Sequence, residues 1–215
     1  MLPDGYFDIV FAKSPRKGPV SSLIGLWNRE YLCVVPEDGE LFGVSFRLLA
    51  VDYLLGVKVA PLFNSEAVLS EGFGGITRTD LSDFVSFVEK IKRVLCDMAP
   101  KDPIDPRKLE LFRTLYMSNG AVKVEDVAKK VNWSSRQINR YFRNRFGISL
   151  KSYCNILRYR ASFDQLKEKR LFPEQVYADQ SHFIRESKKY SGATPKELAD
   201  NEGDRFVQLS TLRKK

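Results

Sequence analysis

Arg136, Asn139, Arg140, Arg143, Asn144 and Lys151 fall within one short stretch, WSSRQINRYFRNRFGISLKSY at 133–153. Two chemistries are open to such a set. A guanidinium fork matches O6 and N7 of guanine, and a carboxamide matches N6 and N7 of adenine, both in the major groove of a duplex. The same groups, or an ammonium, can instead grip phosphate oxygens, which fixes register without reading sequence. The plain alternative is the solvated face of a helix, where arginines usually lie. Other chemistry finds little support. His182 is the only histidine, with no carboxylate or cysteine at triad or metal spacing, so a packing or surface role is expected for it. EGFGG at 71–75 lacks the Lys-Ser/Thr of a phosphate loop and reads as a turn. With no nucleophile–base pair, metal cluster or cofactor loop, the chain is expected to be no enzyme and to carry no cofactor or metal.

The elements that would hold these groups are legible. Ser134 can cap a helix, and Ile138, Phe142 and Phe146 then recur on one face, leaving the arginines on the rest of the surface. Gly147 supplies a left-handed end, and Ser149 can cap the next helix. Upstream, VEDVAKKV at 124–131 is a short amphipathic segment. Two short helices joined at Asn132-Trp133, the second rich in Arg and Asn, read as a helix-turn-helix. A window shifted by 45 residues repeats the pattern. Ser134 meets Asp179, Ile138 meets Phe183, Arg140 meets Arg185, Arg143 meets Lys188, Gly147 meets Gly192 and Ser149 meets Thr194.

This paired pattern, with DQSHFIRESKKYSGATPKEL at 179–198, resembles the AraC/XylS-type DNA-binding domain over about residues 107–198. The resemblance implies two helix-turn-helix units joined by a linker helix, here 150–167. It places Arg136, Asn139 and Arg140 at base-reading positions of the first unit, with base and backbone contact both open for Arg140. Gln180, Ser181 and Arg185 match the reading positions of the second unit. Arg143, Asn144, Lys151, Lys188 and Lys189 suit phosphates. The second unit departs from the pattern. Only 173–177 remain for its positioning helix, the usual Ile-Ala…Gly-Phe run is missing, and Ser187 stands where the first unit has Phe142. A looser unit, or one locked differently, is expected. LPDGYFDIVF and LFGVSFRLLAVDYLLGV are similar to a β-rich domain that precedes some of these modules. Such domains usually have some dozens of residues before the PDG, so a reduced sensor or a missing N-terminal piece is expected.

Charge divides the chain in the same way. Residues 1–106 hold 11 Lys/Arg against 15 Asp/Glu, net −4, and residues 107–215 hold 24 against 12, net +12. A basic module behind a mildly acidic one suits DNA binding joined to sensing or assembly. Cys33, Cys96 and Cys154 are an odd, scattered set, expected as thiols in a reducing compartment. Without a leader or a bilayer-length apolar run, a cytoplasmic protein with no membrane partner is expected.

The N-terminal half reads as strands at 6–11, 22–26, 31–35 and 41–48, with a turn at 36–39 and short helices at 49–56 and 62–69. Leu81, Phe84, Val85, Val88, Ile91, Leu95 and Met98 mark a longer amphipathic helix capped by Thr79 or Asp80. Its stripe has two readings, a cover for the sheet or a homodimer seam. Trp27, Tyr31, Phe42 and Phe46 are candidates for a small-molecule effector pocket, although aromatics on short strands are more often core. The proline-rich 99–106 reads as the boundary, with few contacts expected across it. The expected architecture is therefore an α+β N-terminal domain (1–99), a linker (100–106), an all-α domain of two helix-turn-helix units joined by a linker helix (107–200) and a frayed polar tail (201–215). The function expected is a transcription regulator that reads double-stranded DNA in two successive major grooves. The alternative is an architectural or RNA-binding protein that uses the basic half without base readout.

Overall fold

The structure, a computed structural model, describes residues 1–13, 19–33, 39–56, 58–69, 73–100, 102–172, 177 and 179–210. In Phe7–Lys13 (β1) the alternating Phe7, Ile9 and Phe11 turn one face inward, as a half-buried strand requires. Val20–Ile24 (β2) and Glu40–Phe46 (β3) flank it antiparallel, with Asp8 opposite Ile24 and Phe7 opposite Phe46. Glu66–Val68 (β4) pairs with the outer edge of β2, giving the order β3-β1-β2-β4.

Two expectations for this half need correction. The stretch 62–69 is not a helix: a 3-10 turn at Ala60–Leu62 leads into β4. Asn64 takes a left-handed φ of 56° there, and its carboxamide exchanges two 2.9 Å hydrogen bonds with Asn28, which turns the chain back to the sheet. Residues 31–33 form no strand, because the Tyr31 N–H donates to Met1 O and its hydroxyl to Glu66, both off the ladder. Residues 34–38, which hold the rest of that strand and most of its turn, lie outside the described set, as do 71 and 72 of the glycine cluster. Leu48–Ala50 (α1) runs on into a π-helical turn at Val51–Leu55, close to the short helix expected there.

Phe84–Asp97 (α2) is capped by Asp83, whose carboxylate accepts from the backbone of Val85 and Ser86, whereas Asp80 is bonded to Thr77. Those bonds, led by the one from Ser86 N–H, hold the Asp83 carboxyl down at about 2. The buried stripe is Phe87, Ile91 and Val94, of which Ile91 was expected, whereas Phe84 and Val85 face solvent. The Phe87 ring lies 5.6 Å from Phe11 and 5.3 Å from Phe42, so α2 covers the sheet at that end.

Pro106–Met117 (α3), Val124–Lys130 (α4), Ser135–Phe146 (α5), Leu150–Ala161 (α6), Phe163–Lys167 (α7), Gln180–Ser191 (α8) and Pro195–Asp200 (α9) make the C-terminal half. The linker helix, expected unbroken over 150–167, breaks at Ser162, whose buried hydroxyl donates to Tyr159 O at 2.6 Å.

The other end of the sheet's inner face is closed by α5: Phe7 packs on Phe146 at 6.5 Å. The Tyr153 hydroxyl donates to Gly5 O at 3.1 Å, and Leu48 N–H donates to the Tyr116 hydroxyl. The halves therefore share apolar core, and the expectation of few contacts across 99–106 is corrected. A second correction concerns the tail. Phe206 and Leu209 are buried, and Gln208 exchanges two hydrogen bonds with the backbone of Leu2, so two apolar residues dock an otherwise polar stretch.

One buried carboxyl sets a pH dependence. Burial, then the charge of Asp8, pushes Asp4 up to about 7, against the hydrogen bond from Tyr6 N–H and the charge of Arg160. Folded Asp4 keeps a proton that the unfolded chain releases between about pH 4 and 7, so this group's contribution to stability falls as pH rises through that window. Asp4→Asn still accepts from Tyr6. It should raise stability by about 1–3 kcal/mol at pH 8 and barely at all at pH 4. Urea melts of both chains at the two pH values check this.

Candidate nucleic-acid interface

Helix α5 is fixed at both ends by its own sequence. Ser134 and Gln137 form a reciprocal capping box, a signal legible as Ser-x-x-Gln but missed in the sequence reading. At the far end Gly147 is left-handed, with φ 75°, and its N–H donates to Arg143 O at 3.1 Å. Ile138, Phe142 and Phe146 are buried, as their spacing predicts. Phe142 and Phe146 join an aromatic cluster with Phe112 of α3 at 5.7 and 6.0 Å, and Trp133 packs edge-on against Tyr141.

Helix α8 repeats this frame. Asp179 caps it through His182 N–H at 2.7 Å, and Gly192 ends it with φ 66°. Ser149 and Thr194 cap the helices that follow each glycine, in the register of the repeat. The interior of the second unit is locked differently. Ser187 is fully buried, and its hydroxyl has no partner among the described residues. Tyr190 packs on Tyr159 of α6 at 5.0 Å, and Tyr177 on Phe183 at 4.9 Å. His182 packs edge-on against Tyr177 at 5.4 Å, a packing role. Residues 173–176, most of the expected positioning segment, lie outside the described set.

The predicted contact residues sort by exposure. Arg136, Arg140, Arg143 and Asn144 on α5 are exposed, as is Lys151 at the start of α6. On α8 the same holds for Gln180, Ser181, Arg185, Lys188 and Lys189, though Lys189 also reaches Glu186 at 3.3 Å and lies over the Tyr190 ring. Asn139 differs. It is half-buried, its amide donates to Ser135 O at 3.0 Å, and its carbonyl accepts from Leu150 N–H at 3.3 Å. The carbonyl ties α5 to the start of α6, and the amide bonds back within α5.

A charged node behind α5 was not foreseen. The Asp52 side chain, only 5% exposed, pairs with Arg145 of α5 and with Lys108 of α3 at 2.7 Å, and it accepts from the Tyr141 hydroxyl at 2.9 Å. Burial alone would push the Asp52 carboxyl up. The bonds from Lys108 and Tyr141 and the two cations outweigh burial and hold it below the usual carboxylate range. The signal available in sequence was the i, i+4 pair Tyr141 and Arg145, which share one side of the helix. The acid they meet lies far away in the chain. The four aromatics considered for an effector pocket divide between two places. Phe42 packs on Phe87, Phe46 is buried beside Phe7, and Trp27 lies against Tyr31 at 4.5 Å.

Comparison with known proteins finds a family match. Residues 127–201 match a family described as a helix-turn-helix domain. No curated protein and no solved structure matches the chain. The matched span runs from within α4 to the end of α9 and takes in both recognition helices. The match supports a DNA-binding domain of AraC/XylS type in this region. Among the described residues no helix is long and apolar enough to cross a membrane.

Proposed function

We propose that the protein recognises a specific duplex site by placing α5 and α8 in two successive major grooves, about 34 Å apart along one face of the DNA. The observation that carries this reading is the repeat itself. Two helices of 12 residues share caps, terminal glycines and register, and each turns a row of basic and amide side chains to solvent. In the first unit Arg136 and Arg140 read bases, while Asn139 positions α6 against α5. In the second, Gln180, Ser181 and Arg185 read bases. Arg143, Asn144, Lys151, Lys188 and Lys189 hold phosphates.

The test begins with duplexes selected from a random pool by the full chain. Arg136→Ala should cost about 1–3 kcal/mol on the selected site and relax preference at particular base pairs, because a lost bidentate contact penalises only the sequence it read. Arg143→Ala should weaken all duplexes alike and lower the salt slope by about one. Equal affinity for selected and random duplexes would instead make the basic face an architectural one.

A further inference from the structure

Which bases α5 and α8 select follows from which polar groups they keep free. Helix α5 carries no acidic residue, so nothing on it accepts from the amino group of cytosine. Its carboxamides are committed or badly placed. Gln137 Oε1 accepts from Ser134 N–H at 2.8 Å in the capping box, and Asn139 is held by Ser135 and Leu150. Asn144 is exposed but lies in the last turn, whereas a helix in the major groove reads with its N-terminal residues. What remains is Arg136 and Arg140. Both are exposed, and neither side chain has a hydrogen bond or ion pair among the described residues. A guanidinium offers only donors, which suits the two acceptors of guanine and not the donor–acceptor edge of adenine.

Helix α8 keeps a different set. Ser181 stands 45 residues after Arg136, at the matching position, and a hydroxyl bonds to either kind of base edge. Arg185 is exposed and unpaired among the described residues, as Arg140 is. Gln180 opens the helix with its carboxamide exposed and unbonded, so both ends can meet N6 and N7 of adenine. The acid of this helix, Glu186, is only 14% exposed at its side chain and pairs with Lys189.

We propose that the two half-sites are chemically unlike. The one under α5 is fixed by two guanines, read by Arg136 and Arg140, with no adenine contact. The one under α8 is fixed by a single guanine, read by Arg185, and an adenine, read by Gln180. Four residues rise about 6 Å along a helix, so the two guanines under α5 lie within about two base steps of each other. Unlike half-sites give the chain one orientation on the duplex, which two equal ones would not. This assignment rests on the function proposed above and adds the bases to it.

The test uses the full chain and a duplex selected from a random pool. 7-Deazaguanine, in which carbon replaces N7, is placed at each guanine in turn, and 7-deazaadenine at each adenine. In one half-site two guanines within about two steps should each cost the parent about ten-fold in affinity when N7 is removed. At the first of these the loss should shrink to under about two-fold in Arg136→Ala, and at the second in Arg140→Ala, because the contact is already gone. In the other half-site Arg185→Ala should pair in this way with one guanine and Gln180→Ala with one adenine. The base changes leave the protein unaltered, so the parent series stands whatever a variant does to folding. The proposal is overturned if no pair of guanines responds, if any of the four side chains couples to the wrong base or to none, or if Asn139→Ala, melting like the parent, loses a preference for adenine. Those outcomes leave the two-groove reading standing, whereas equal affinity for selected and random duplexes overturns both.

Discussion

Asp52→Ala should destabilise the full chain by about 3–5 kcal/mol, the cost expected when one member of a buried ion cluster is removed and its partners are left behind. Lys108 and Arg145 have side chains only 23% and 24% exposed, and without Asp52 they would face each other with no anion between them. The Tyr141 hydroxyl would lose its acceptor as well. Because the carboxyl is held below its usual range in the folded chain, its contribution is present above about pH 4 and is lost as pH falls further. The gap between parent and Asp52→Ala in urea melts should therefore be full at pH 7 and shrink below pH 4. Asp52→Asn separates the roles of charge and shape: it keeps an acceptor for Tyr141 but leaves the two cations uncompensated. If Asp52→Ala shifted the midpoint by less than the cost of one exposed ion pair, under about 1 kcal/mol, the node would contribute nothing to holding α5.

The second large effect concerns the C-terminal half alone. A fragment of residues 107–215 should lose about 3–6 kcal/mol relative to the same segment in the full chain, from uncovering two or three large apolar side chains. Removing residues 1–106 takes Phe7 off Phe146, Gly5 off Tyr153 and Leu157, and Asp52 off Arg145. Phe146 and Tyr153 are fully buried in the whole protein, and the first belongs to α5. The fragment should therefore melt well below the full chain and bind an apolar dye. Calorimetry of both species, with dye fluorescence, checks this. A fragment as stable as the parent would mean that the sheet rests on the C-terminal half without supporting it.

Local signals were legible in the sequence, and distant ones were not. Helix α5 follows from Ser134, the Ile138, Phe142, Phe146 spacing and Gly147, all within one stretch, and α8 follows from the same grammar 45 residues on. The surroundings of Asn139 were not legible, for a physical reason. A carboxamide on an exposed-looking position suits adenine, but here the neighbouring helix start offers it an unpaired N–H at Leu150. The break at Ser162 depends on a hydroxyl that bonds back to the helix instead of outward. The docking of the tail depends on Phe206 and Leu209, two apolar residues whose partners lie elsewhere in the chain. In the N-terminal half the strands are short and mixed in pattern, so their ends drifted. The stretch 62–69 was misread because Asn64, not a glycine, adopts the left-handed turn.

The glycines that end the recognition helices have a second role. A Cβ on Gly147 would stand 2.7 Å from Ala60 O, and one on Gly192 would stand 3.1 Å from Glu30 Oε1. Each glycine that stops a helix is thus also the footing on which the N-terminal half stands. Mutational drift at either position is constrained twice, once by local backbone geometry and once by a surface from the other half. A DNA-binding region shaped in this way is not a free cassette. Grafted beneath an unrelated N-terminal domain, it would bring the hollows at Gly147 and Gly192 without the Ala60 turn and the Glu30 loop that fill them, so the two halves are bound to evolve as a matched pair.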